Sequence, residues 1–182
     1  MKRKIRYRKS PDPKDRRTAV VFVDYENIRF SLPNFETRRT LSSLNWLKDL
    51  LFKKLGPKTE IVLGFVFVPN HLFPGLSRGL FDTGFYVVGC PPNFGETLKY
   101  TDSADRVMIS MMRDQLELAR FTDLVIVGGD GDYVSTVNLA RSRGKKVLIL
   151  SLEKALSNRY QDYPGWIEVT VIDEILANLS RA

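Results

Sequence analysis

The chain has 182 residues, 43% of them apolar, and a formal net charge of +7. This length fits one globular domain, and no apolar run approaches the roughly 18 residues of a membrane-spanning helix. Cys90 is the only cysteine and His71 the only histidine. A disulfide framework and Cys- or His-based zinc sites are therefore excluded, and a Ser-His-Asp triad is disfavoured. Because no secretory segment is present, we expect a cytoplasmic protein without membrane association.

The positive charge is concentrated at the N-terminus. Residues 1–17 hold nine Lys or Arg and two Asp, whereas residues 18–182 hold 19 bases and 19 acids. We therefore expect a flexible basic tail over 1–17 and a single domain over 18–182. Such a tail binds polyanions by counterion release, although a solubilising arm or a linker fragment would have the same composition. The expected nucleic-acid contacts are Lys2, Arg3, Lys4, Arg6, Arg8 and Lys9.

Apolar patterning predicts that strands alternate with helices after the tail. This alternation indicates a three-layer, Rossmann-like α/β domain, with a central, mostly parallel sheet of five or six strands and helices on both faces. Ligands of such sheets bind beyond the carboxyl ends of the strands. The predicted strands are 19–23, 59–68, 84–90, 123–129, 145–150 and a short 166–171, and the predicted helices are 37–55, 71–81, 102–120 and 132–144, with a loop over 91–101.

Aspartates follow two of the predicted strands and begin the long helix. Asp24 follows the first strand, Asp130 and Asp132 follow the fourth, and Asp102 and Asp105 lie at the helix start. Each could instead cap a helix or begin a turn. If the first and fourth strands are neighbours, however, several carboxylates converge, and their repulsion favours a bound cation. A ligand set made only of oxygens suits Mg²⁺ or Mn²⁺.

Three sequence blocks together resemble the NYN domains, which are PIN-like ribonuclease domains, and in particular their LabA-like (DUF88) branch. They are VFVDYENI over 21–28, KYTDSADRVM over 99–108 and LVIVGGDGDY over 124–133, and RGKKVLIL over 143–150 matches the strand that follows. The likeness spans roughly residues 18–150. It implies a PIN-like fold and a metal-dependent ribonuclease that leaves 5′-phosphate and 3′-hydroxyl ends.

The resemblance also implies roles for individual residues. Asp24, Asp105, Asp130 and Asp132 fall on the family's acidic positions as catalytic residues and ligands of one or two Mg²⁺ or Mn²⁺ ions, with Asp102 as a second candidate for the place of Asp105. RNA, preferentially single-stranded, is the expected substrate.

Other residues near the acidic positions are candidates for binding that substrate. Asn27 orients Asp24 or contacts a phosphate, Lys99 is a candidate phosphate contact, and Arg106 contacts a phosphate or, as we expect, pairs with Asp105. Three aromatic residues, Tyr25, Phe30 and Tyr133, either stack on unpaired bases or, as aromatics at strand ends more often do, pack against the sheet.

Two alternatives remain open from sequence. One is a PIN-like module that binds RNA or a protein without cutting RNA. The other is a receiver-like phosphoryl-transfer domain, which would need a hydroxyl residue beyond a later strand, where Ser151 lies. A homodimer or a protein partner is also left open.

Overall fold

The structure is a computed structural model that describes residues 16–32, 44–91, 93–94, 100–101, 104–161, 165 and 167–179. The strands in these ranges are β1 (Arg17–Asp24), β2 (Thr59–Pro69), β3 (Tyr86–Cys90), β4 (Asn93–Phe94), β5 (Tyr100–Thr101), β6 (Asp123–Val127), β7 (Lys146–Ser151) and β8 (Ile167–Val171). The helices are α1 (Tyr25–Ser31), α2 (Asn45–Leu55), α3 (Phe73–Phe81), α4 (Ala104–Leu118), α5 (Val134–Ser142) and α6 (Asp173–Leu179).

Six strands form one parallel sheet in the order β3-β2-β1-β6-β7-β8. The first strand, β1, lies in the middle of the sheet. The chain then runs outward through β2 and β3 and returns to the middle at β6. The β1–β6 pair is therefore the switch point, where ligands of doubly wound sheets bind. Val23 lies opposite Val127, so Asp24 and the turn after β6 meet at the carboxyl edge. The predicted fold class and the predicted neighbours are confirmed.

The sheet is covered on both faces, and its central strands β1 and β6 carry uninterrupted apolar runs, Ala19 to Val23 and Leu124 to Val127. In β1, Val21 and Val23 belong to the core that also holds buried residues of α1, α2, α3 and α6. Val20 and Phe22 belong to the opposite core, with buried residues of α4 and α5. Side chains of a strand alternate between faces, so a continuous apolar run is what a sheet buried on both sides requires.

Several boundaries differ from the sequence prediction. Arg17, assigned to the tail, is the first residue of β1 and donates from Nε to Oδ2 of Asp123 at 3.0 Å and from Nη2 to Oδ1. The predicted loop over 91–101 contains the antiparallel pair β4–β5. Helix α4 ends at Leu118 rather than at 120, and residues 102–103 lie outside the described residues. Helix α5 follows a 3₁₀ turn over Gly131–Tyr133. In the predicted helix over 37–55, Asn45–Leu55 is helical, and residues 37–43 lie outside the described residues.

No helix in the described part of the chain is long and apolar enough to cross a lipid bilayer.

Candidate active site

Asp24 ends β1 and caps α1. Its backbone is extended, and its Oδ1 accepts the amide N–H of Asn27 at 2.9 Å. An N-terminal cap of this kind satisfies one of the free amides of a helix. Asp24 is nevertheless only 3% exposed, which is unusual for a carboxylate. Burial restricts its second oxygen, Oδ2, to contacts inside the protein.

The hydroxyl of Tyr133 lies between two carboxylates. Its oxygen is 2.5 Å from Oδ2 of Asp24 and 2.5 Å from Oδ1 of Asp105. The three residues come from separate parts of the chain: the end of β1, the first turn of α4 and the 3₁₀ turn after β6. Tyr133 is fully buried. The sheet edge thus brings Asp24 and Asp105 together around one phenol, as the predicted convergence requires for this pair.

The phenol of Tyr133 stays protonated. Burial, followed by the negative charges of Asp24 and Asp105, raises its pKa far above the ordinary value for tyrosine. A neutral phenol has a single proton and can donate to only one of the two carboxylate oxygens. The other short oxygen–oxygen contact is favourable only when a second proton or a cation is supplied. This arrangement therefore favours binding of a positive charge.

The glycine turn after β6 is tied to the start of α1. The amide of Gly129 donates to Oδ1 of Asn27 at 3.0 Å. A β-carbon at Gly129 would overlap the carbonyl of Ala155 and the hydroxyl of Ser151, and Gly128 has a φ of 151°. Only glycine fits such positions without strain. The side chain of Asn27 therefore fixes the turn that leads to Tyr133, and its backbone N–H donates to the capping carboxylate of Asp24.

Asp130 and Asp132 lie in the turn after β6, close to a second buried tyrosine, Tyr160. Oδ1 of Asp130 accepts the amide of Asp132 at 2.9 Å and caps the 3₁₀ turn. The hydroxyl of Tyr160 donates to the Asp130 carbonyl at 2.6 Å. Burial first, and then the charges of Asp130 and Asp132, raise the pKa of Tyr160. Asp130 is half-buried and Asp132 is exposed, so this pair lies nearer the solvent than Asp24.

The structure brings Asp24 and Asp105 together at the Tyr133 hydroxyl, and it places Asp130 and Asp132 in the turn after β6. In the described ranges, no group of three or more His, Cys, Asp or Glu side chains is arranged to hold a metal ion. Asp102 and Lys99 lie outside those ranges, as do the tail residues Lys2 to Lys9. The roles of these residues, and of the four aspartates as ligands, stay predictions.

The expected ion pair of Arg106 with Asp105 is not found among the ion pairs of the described residues. Arg106 is exposed in the first turn of α4. Ser151, the hydroxyl residue that a receiver-like domain would need, is buried and donates to the carbonyl of Leu152 at 3.0 Å.

Sequence reasoning did not assign the role of Tyr133. It was predicted either to stack on a base or to pack against the sheet, and a fully buried ring bound to two carboxylates cannot stack on RNA. Tyr25 is also buried, which leaves Phe30, 64% exposed, as the aromatic able to stack. The available signal was the position of Tyr133 directly after Asp132, in the turn itself. Tyr160 is about 30 residues from the acidic motif, and no sequence signal connected the two.

Comparison with known proteins identifies the family of this chain. The NYN domain model matches residues 18–163, and the chain therefore belongs to the NYN domain family. NYN domains are PIN-like nucleases, generally ribonucleases that typically use divalent metal ions.

Among solved structures, the fold is similar to a protein of unknown function from Vibrio parahaemolyticus RIMD 2210633. The two chains are 18% identical, with a TM-score of 0.61 over 87% of this chain and 95% of the other. At this identity the likeness concerns the fold alone. No curated protein matches significantly.

Proposed function

We propose that this protein is a divalent-metal-dependent ribonuclease of the LabA-like (DUF88) branch of the NYN family, acting in the cytoplasm on single-stranded RNA. The observation that carries the proposal is the meeting of Asp24 and Asp105 at the hydroxyl of Tyr133. It lies beside the switch point of a parallel sheet, where ligands of this fold class bind. The family match supplies the reaction class.

Asp24 and Asp105 suit Mg²⁺ or Mn²⁺ as ligands. Both supply hard oxygen donors, which these ions prefer. Their inner oxygens each lie 2.5 Å from the Tyr133 hydroxyl and are therefore at most about 5 Å apart. An ion held by both carboxylates at about 2.0–2.1 Å would need these oxygens within about 4.2 Å of each other. We propose Asp130 and Asp132 as further ligands on the solvent side.

When bound, a divalent ion lowers the pKa of a coordinated water and stabilises negative charge on the phosphoryl oxygens. The chain holds and orients the groups around it. Asn27 fixes Oδ1 of Asp24 through its amide, so Oδ2 faces Tyr133. The same residue anchors the glycine turn. Arg106, exposed beside Asp105, and Lys99 are the proposed contacts to RNA phosphates, and Asp102 is the alternative to Asp105.

A cleavage assay with matched variants tests the proposal. Purified protein is mixed with Mn²⁺ and end-labelled single-stranded RNA. We expect Asp105→Asn and Asp24→Asn to abolish cleavage, while Asp114→Asn, an exposed position on the same helix as Asp105, leaves it unchanged. Asparagine can still cap α1, so Asp24→Asn retains that contact. Equal cleavage by all three variants would contradict the proposal.

Among the described residues, no group of three or more acidic, His or Cys side chains is arranged to hold a metal ion. This observation favours one alternative, a PIN-like module that binds RNA or a protein without cutting it. Asp130 caps its own turn, and the carboxylates of both Asp130 and Asp132 act on Tyr160. This alternative predicts RNA or protein binding with no cleavage product at any Mn²⁺ concentration. The same assay, with binding measured in parallel, separates the two functions.

A further inference from the structure

We propose a second site, a phosphate-binding pocket at the amino-terminal edge of the sheet. A cavity of about 480 Å³ lies there, at the first residues of three adjacent strands, Arg17 of β1, Asp123 of β6 and Lys146 of β7. Arg17 precedes Asp24 by seven residues along β1. At roughly 3.3 Å per residue, the pocket is about 20 Å from Asp24 and is separate from the candidate active site.

The lining of this pocket is cationic. Among the described residues, five bases and two acids line it, which gives that part of the lining a formal charge of +3. Both acids are already engaged. Asp123 pairs with Arg17 and also accepts the hydroxyl of Thr122 at 2.5 Å, and Glu168 lies 3.3 Å from Nζ of Lys54. The described lining also holds Lys145 and Lys146, neither of which forms an ion pair with a described residue.

The position of Lys145 is fixed by uncharged partners. Its Nζ donates to the carbonyl of Phe121 and lies 4.6 Å from the centre of that residue's ring. These contacts orient the ammonium group but leave its charge uncompensated. Lys146 is exposed at the rim and forms no ion pair with a described residue. A preorganised cluster with excess charge suits an anion the size of a phosphate group, which Lys and Arg bind in nucleic acids.

The connectivity of the chain favours a nucleic-acid phosphate. Arg17 lines the cavity, and residues 1–15, which hold seven Lys or Arg, join the fold just before it. The basic segment is therefore joined to the fold at the edge of the sheet where the pocket lies. A strand bound by the tail would pass this edge, and the pocket would hold one of its phosphates at a distance from the cleavage centre. The identification of the ligand as a nucleic-acid strand rests on the proposed function, whereas the inference that the pocket binds a phosphate does not.

The test measures binding without catalysis. The full chain is titrated, in EDTA, against a fluorescein-labelled single-stranded oligonucleotide at several salt concentrations, and separately against inorganic phosphate. The test variant is Lys54→Gln/Lys146→Gln. The control is Lys53→Gln/Lys58→Gln, which removes the same charge at exposed positions outside the cavity lining. We expect the test variant alone to bind the oligonucleotide several-fold more weakly, with its salt slope reduced by roughly 0.7–1.4.

Each outcome decides the proposal. If the test variant binds the oligonucleotide more weakly, with or without weaker binding of inorganic phosphate, the pocket is assigned to a nucleic-acid phosphate. Loss of inorganic phosphate binding alone assigns it to a free phosphate ligand. If the test and control variants behave alike towards both probes, there is no phosphate site. Because the titrations are carried out without metal, absence of RNA cleavage would not affect this result.

Discussion

The phenol oxygen of Tyr133 lies 2.5 Å from Oδ2 of Asp24, although the two residues are 109 positions apart in the chain. The contact joins the end of β1 to the turn after β6 across the switch point. With the second contact to Asp105, it makes Tyr133 the residue that sets the spacing of the two inner carboxylates. Several measurable properties should depend on this hydroxyl.

Tyr133→Phe should destabilise the metal-free protein and increase its response to metal. Removing a hydrogen bond to a charged group costs about 1.5–3 kcal/mol, which corresponds to roughly 3–12 °C in Tm for a chain of this size. Without the hydroxyl, the repulsion between Asp24 and Asp105 is no longer relieved, so Mn²⁺ should raise the Tm of the variant more than that of the wild type. Thermal melts with and without Mn²⁺ measure both effects.

Tyr86→Phe is the control, because Tyr86 is 60% exposed. If Tyr133→Phe melts at the wild-type temperature without metal, the hydroxyl does not hold the two carboxylates.

Above about pH 10, the free energy of unfolding of the wild type should fall more steeply with pH than that of Tyr133→Phe. The pKa values of Tyr25, Tyr133 and Tyr160 are all raised in the folded state, whereas an unfolded tyrosine loses its proton near pH 10. Above about pH 10 the unfolded chain therefore binds fewer protons than the native state, and stability decreases by about 1.4 kcal/mol per pH unit for each such tyrosine. Below that pH the full contribution is present.

Urea unfolding between about pH 9 and about pH 11.5 checks this expectation. Tyr133→Phe should show a shallower decline than the wild type, by the amount of one tyrosine. Parallel curves for the two proteins would mean that Tyr133 titrates in the folded state as an ordinary surface phenol.

Gly129→Ala should be strongly destabilising, whereas Gly75→Ala should be tolerated. The added carbon at Gly129 meets the backbone carbonyl of Ala155, while nothing lies within 4 Å at Gly75, in α3. Overpacking typically costs about 1–3 kcal/mol, and alanine in place of a helical glycine gains about 0.5–1 kcal/mol. Chemical denaturation of both variants measures the difference. Equal stability would show that the turn after β6 has room that the structure does not show.

Two truncated proteins should distinguish the contribution of the tail to RNA binding from the contribution of Arg17 to stability. Removal of residues 1–15 deletes seven bases and should weaken RNA binding. It should also flatten the salt dependence of binding, by about 0.7 for each phosphate that the tail neutralises in the full chain. The Tm should stay unchanged because Arg17 keeps its ion pair with Asp123. Removal of residues 1–17 should lower the Tm as well, since Asp123, 3% exposed, then has no charged partner in Arg17.

Binding measured against salt, with thermal melts, checks both truncations. An unchanged salt slope without residues 1–15 would show that the tail is not a nucleic-acid arm. Equal Tm values for the two truncated proteins would contradict the assigned role of Arg17.

The sheet could be predicted because its signal is continuous along the chain. Ala19 to Val23 and Leu124 to Val127 are apolar runs typical of strands buried on both faces, and both are fully buried. Their adjacency followed from the doubly wound order, which placed Asp24 near the turn after β6. Strands β4 and β5 have two residues each, which is too few to show the alternation of apolar and polar residues that predicts a strand.

The side-chain partners could not be predicted, because they depend on local geometry rather than on pattern. Asp130 caps the 3₁₀ turn that contains Tyr133. In that turn the Asp130 carboxylate accepts the amide of Asp132, and the phenol of Tyr133 lies against Asp24. In the same way, Arg17 ends a run of basic residues, and nothing in that run predicts its pairing with Thr59 in the sheet or its ion pair with Asp123.

Diffraction from crystals soaked in Mn²⁺, recorded where manganese scatters anomalously, tests the central claim most directly. The proposed function predicts an anomalous peak within about 2.0–2.3 Å of a carboxylate oxygen of both Asp24 and Asp105, and its absence in crystals of Asp105→Asn. A fully soaked crystal with no peak at these two aspartates, or with a peak only elsewhere, would contradict the account.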